Sequence, residues 1–73
     1  MRDWGTYAKS VLRAEMALRR VSYADLVKLL ADIEVKETEA NLRNKVSRGS
    51  FTAAFLLQCL TVMNVTTLHL SPP

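Results

Sequence analysis

Three side chains with chemistry to offer crowd into one short stretch: Arg43, Lys45 and Arg48. Residues 40–73 hold no Asp or Glu, whereas residues 1–39 carry seven basic and seven acidic side chains that cancel, so the formal charge of +3 falls on 40–73. At about 100° per residue, Asn41, Asn44, Lys45 and Arg48 share one helical face, opposite Leu42 and Val46. Amides on that arc suit adenine edges, and guanidinium and ammonium groups suit guanine edges or phosphates. Arg43, Ser47 and Ser50 flank it as candidate backbone contacts, and Lys36 with the helix start at Thr38 adds two more. The competing explanation is that an amphipathic helix needs a polar face wherever it lies.

Other chemistry has little to work with. Cys59 is the one cysteine and His69 the one histidine, so neither an intrachain disulfide nor a structural zinc site is available, and the lone thiol suits a reducing cytosol. Cys59 falls on an apolar helix face, where a thiol is inert; a Cys59–His69 dyad has no acid after Glu39 to orient it locally. No Gly-rich phosphate loop occurs, so an enzyme is not expected and no cofactor is implied. The N-terminus lacks the apolar core of a signal peptide. The longest unbroken apolar run, Ala53 to Leu57, is far too short for a membrane span.

The elements that position these residues are helices. At 73 residues with 49% hydrophobic content, one small domain is all the chain can build. The two glycines and two prolines leave few breakers, and both prolines are terminal. Four helices are expected, near 4–19, 22–33, 38–48 and 52–63. Trp4, Ala8, Val11, Leu12 and Leu18 give the first an apolar stripe, with Trp4 packing at the domain edge and Glu15 pairing with Arg19 one turn on. Arg19 and Arg20 near its end complement the helix dipole. Ser22 caps the second, with Asp25 completing a capping box and Val21 stapling onto Leu26. Thr38 caps the third and Gly49 closes it; Thr52 caps the fourth, and Asn64 closes it by letting Val65 touch Leu60. The expected core is Leu12, Leu26, Leu29, Leu30, Leu42, Val46, Phe55, Leu56 and Leu60. The tail from Val65 to Leu70 reads either as a short strand, from the alternation at 67–70, or as one more helical turn.

A helix, a capped helix, a polar turn, a short basic helix ending in Gly and then an apolar helix together resemble the phage repressor and Cro type of helix-turn-helix domain. Ser22–Ile33 stands for the scaffold helix, Leu42–Gly49 (LRNKVSRG) for the reading helix and Thr52–Val65 for the helix that follows. The resemblance implies a compact all-α, lambda-repressor-like fold of four to five helices and a third helix lying in the major groove of duplex DNA. In that family a small residue sits in the scaffold helix and a Gly opens the turn; here Leu30 and Glu34 fall near those places, and the link runs about two residues longer. Such a link either holds the inter-helix angle or swings the third helix away from the groove. The stretch ETEANLRNKVSRGSFTAAFLLQCL also resembles a family of small bacterial domains of unknown function, which implies a bacterial source.

Two functions from different classes follow. The first is a small DNA-binding regulator, active as a homodimer on two half-sites, with Val65–Leu70 pairing as an antiparallel ribbon. The second is a protein-interaction module on the same scaffold, docking onto a larger regulatory protein through surplus apolar surface.

Overall fold

The computed structural model describes residues 3–70 and contains four helices: α1 (Trp4–Leu18), α2 (Tyr23–Ala31), α3 (Glu39–Arg48) and α4 (Ala53–Val62). A Cα radius of gyration of 11.8 Å matches the about 11 Å of a compact chain of this length. The all-α expectation holds and each helix lies within a few residues of its expected bounds. Neither a strand nor a fifth helix forms among the described residues.

Each helix starts the same way, because its first N–H groups need acceptors that the helix cannot supply. Asp3, Ser22, Thr38 and Thr52 all have extended backbones, and each side chain accepts a bond from the N–H three residues on. At Ser22 the box is complete: Asp25 N donates to Ser22 Oγ at 3.0 Å and Ser22 N donates to Asp25 Oδ2 at 3.1 Å. Such caps are worth about 1 kcal/mol each.

The helix ends repeat a second motif. Arg20, Glu34 and Asn64 take left-handed backbones, with φ of 56°, 61° and 61°. After each stands a valine whose N–H reaches back to the helix: Val21 to Met16 O at 2.9 Å, Val35 to Leu30 O at 3.0 Å and Val65 to Leu60 O at 2.9 Å. This is the Schellman ending, with the residue after the left-handed one packing onto the last turn. Met16, Leu30 and Leu60 are buried and all three valines pack against the same core. Asn64 and Val65 thus behave as their residue types suggest. Arg20 stands just past the end of α1, where its left-handed backbone turns the chain.

Leu12, Leu26, Leu30, Leu42, Val46 and Cys59 are completely buried, with Met16, Phe55, Leu60 and Met63 nearly so. Two expected core residues, Leu29 and Leu56, are only partly buried and pack on the cluster from outside. Cys59 in α4 and Met63 just past its end take the inner positions instead. The stripe on α1 is also narrower than its spacing suggests: Trp4 and Leu18 are 64% and 75% exposed. Met16, one turn after Leu12, is the side chain that turns inward.

The tail from Val65 to Leu70 forms neither a strand nor a helical turn. Val65 and Leu68 fold back onto the chain's own core, while Leu70 stays exposed. No helix among the described residues is long and apolar enough to cross a membrane.

Candidate nucleic-acid interface

α3 is polar on most of its circumference and is held by two side chains, Leu42 and Val46, both fully buried one turn apart. Thr38 Oγ1 accepts from Asn41 N at 3.1 Å, so this hydroxyl is occupied in capping. At the other end Gly49 turns left-handed with φ of 67° and its N–H donates to Val46 O.

The outward surface carries Asn41, Asn44 and Arg48, all exposed. Arg48 Nε makes a long 3.5 Å bond to Asn44 O, which leaves the guanidinium edge open to solvent. Ser50 is exposed just past the helix and Lys36 is exposed in the link before it.

Lys45 departs from the expected arc. It leans toward α4, where Nζ lies 4.9 Å from the centre of the Phe55 ring and pairs with Glu37 Oε2. Glu37 belongs to the α2–α3 link, and its side chain is only 9% exposed. A carboxylate that well covered needs a partner, so Lys45 is committed to holding the link on α3. It is not a free cation on the reading face.

Arg43 and Ser47 occupy the opposite flank, toward α1 and α2. Arg43 pairs with Glu39 at 3.0 Å and stacks over Tyr23, 5.1 Å from its centre. Both partners of this ion pair are about half exposed, and pairs of that kind contribute about 0–1 kcal/mol. Competing anions can therefore exchange with Glu39. Ser47 is approached from α1: Lys9 Nζ donates to its carbonyl O at 3.1 Å and Arg13 Nη2 donates to its Oγ at 3.3 Å. Arg13 Nε also donates to Tyr23 Oη at 3.3 Å.

The spacing of residues along the chain does not single out Lys9 and Arg13 as part of this surface. They lie 38 and 34 residues before Ser47, so no local spacing links them to α3. The available signal is their i,i+4 spacing on α1, which aligns them off the apolar stripe.

Two depressions border α3. One of about 250 Å³ opens where α3 meets α4, lined by Lys45, Arg48, Ser50, Phe51, Thr52 and Phe55. A wider one of about 500 Å³ lies between the end of α1, the start of α2 and Arg43.

Cys59 and His69 are not assembled into a dyad. Cys59 is fully buried, and burial pushes its thiol up to about 12, with Glu37 adding to the rise and Lys45 opposing it. His69 is exposed in the tail. Among the described residues no group of three His, Cys, Asp or Glu side chains is placed to hold a metal ion.

The profile of a protein family described as a domain of unknown function, DUF6471, matches residues 4–68. No curated protein and no solved structure matches the chain.

Proposed function

We propose that this chain, which belongs to the DUF6471 family, binds duplex DNA through α3 as a small regulator with a repressor-like helix-turn-helix. The observation that carries this reading is the outward face of α3: Leu42 and Val46 are fully buried, and Asn41, Asn44 and Arg48 project on the other side. Amide and guanidinium groups on one exposed helical face are suited to base edges and phosphates. Ser47, Ser50, Lys36 and Arg43 supply backbone contacts, Arg43 by exchanging Glu39 for a phosphate, and the α3 start at Thr38 adds its N–H groups.

The turn supports the same reading. A repressor-type domain opens this turn with Gly, and Glu34 at that place has φ of 61°, the conformation Gly is used for. The longer link is tied down at its α3 end by the pair of Glu37 and Lys45. Lys45 therefore serves the site by positioning α3.

One 73-residue copy makes few contacts, so two copies on adjacent half-sites are required for useful affinity. Val65 and Leu68 pack on their own core, and the exposed Leu70 and Leu57 supply apolar surface for joining the copies. A second reading, docking to a larger regulatory protein, draws support from the same surface: α4 has no charged residue, and its Leu57 is 62% exposed.

A salt series with random duplex DNA tests the proposal. For about three or four phosphate contacts, log K should fall against log salt with a slope of about −3. Absence of binding at low salt removes the DNA reading and leaves the docking module.

A further inference from the structure

We infer that Lys9 and Arg13 of α1, converging on Ser47 of α3, form a clamp for a backbone phosphate of duplex DNA beside the α3 reading face. The inference rests on the DNA-binding reading and assigns it a contact surface from outside the helix-turn-helix.

The acceptors these two cations meet inside the protein are all neutral: the Ser47 carbonyl, the Ser47 hydroxyl and the Tyr23 phenol. Neither charge is cancelled by an ion pair among the described residues. Asp3 feels the charge of Lys9 but is committed to capping α1, its oxygens taking the N–H and hydroxyl of Thr6. Donor capacity is also left over. An ammonium has three N–H donors and a guanidinium five; Lys9 uses one on Ser47, and Arg13 uses two on Ser47 and Tyr23.

Arg43 brings a third cation to the same place, since its guanidinium lies over the Tyr23 ring whose hydroxyl accepts from Arg13. One carboxylate, Glu39, serves it. The fold thus gathers three cations from two helices around Ser47 and Tyr23 and supplies one acid. An anion with several acceptor oxygens completes such an arrangement, and Arg with Lys is the donor pair that phosphate recognition uses. Ser47 lies one turn from Arg43 and beside Arg48 on α3. A helix presenting Asn44 and Arg48 to a groove therefore brings this seam against the phosphates lining it. Contacts of this kind fix register without reading sequence.

The test is a salt series on Lys9→Ala, Arg13→Gln and Arg13→Lys with two unrelated duplexes, and a thermal melt of each variant. Lys9→Ala and Arg13→Gln should each flatten the log–log slope by about 0.9, weaken both duplexes equally and keep a cooperative melt. Arg13→Lys should keep the parent slope. Lys9 hydrogen-bonds α3 through its ammonium alone, so Lys9→Ala carries the test even if Arg13→Gln impairs folding. A parent that binds DNA and a Lys9→Ala slope equal to the parent's overturn the clamp while leaving the DNA reading intact. A parent that binds no duplex at low salt fails the reading itself. Binding of polyglutamate in place of duplex, lost with Lys9→Ala, overturns the clamp in favour of an acidic protein partner.

Discussion

Gly5 and Gly49 meet face to face: a Cβ placed on Gly49 would lie 2.2 Å from the Gly5 carbonyl oxygen and 2.7 Å from its carbon. They are the chain's two glycines, 44 positions apart, and together they bring the first turn of α1 against the end of α3. That approach sets the spacing of the seam where Lys9 and Arg13 reach Ser47.

The two are not equivalent under substitution. At Gly49 an alanine meets backbone atoms and also carries a φ of 67°, a conformation costing an L-residue about 1–2 kcal/mol by itself. At Gly5 the new Cβ would stand 3.1 Å from the Gly49 oxygen, a tight contact that a shift of a few tenths of an ångström relieves. Gly49→Ala should lower stability by about 2 kcal/mol or more, and Gly5→Ala by less than about 1 kcal/mol. Urea unfolding of both variants checks this. Equal losses would mean that the helices separate freely at this point.

Glu34 is a strained choice for the residue that turns α2 into the link. Glu34→Gly removes the left-handed penalty at the cost of a more flexible unfolded chain, and should raise stability by ~0.5–1 kcal/mol. The urea midpoint should rise with an unchanged m-value. A fall would show that the Glu34 side chain makes a contribution of its own.

Glu34 also marks where sequence reasoning runs out. The ends at Gly49 and Asn64 are legible because those residue types favour positive φ. Arg20 and Glu34 do so against their type, held there by Val21 and Val35 packing on the core, and long-range packing leaves no local signature. The starts are legible wherever Ser or Thr opens a helical pattern, whereas Asp3 is followed at once by Trp4 and Gly5, which weaken that pattern. For the site, the exposed positions of Asn41, Asn44 and Arg48 follow from periodicity and the two anchors. The commitment of Lys45 to Glu37 does not: its acid lies in the link, eight residues earlier, outside any i,i+4 rule. Lys9 and Arg13 enter only through the docking of α1 on α3.

Lys45→Ala should behave as a folding variant. It leaves the covered Glu37 carboxylate without its cation and should cost about 1–2 kcal/mol. Glu37→Gln/Lys45→Ala should recover part of that loss. If Lys45→Ala instead melts like the parent and loses DNA affinity alone, Lys45 belongs to the contact surface.

The caps give the domain an acid-side limit. Hydrogen bonds from Ser22 hold the Asp25 carboxyl below its ordinary 3.8, and bonds from Thr6 do the same for Asp3. A carboxyl whose pKa is lower in the folded state adds stability above its unfolded value and loses it as pH falls through the folded one. Relative to Asp25→Asn, the parent should therefore be more stable at about pH 6, and the gap should close as pH drops below about 4. Thermal melts of both proteins at several pH values measure this. A gap that stays constant with pH would mean the carboxylate charge plays no part in the cap.

The most direct measurement of the DNA-reading assignment is an amide chemical-shift titration of the full chain with a short duplex at low salt. Perturbations should concentrate on Asn41 to Ser50 of α3 and extend to Lys9 and Arg13. Shifts confined to Ala53–Thr61, or none at any duplex concentration, would contradict it.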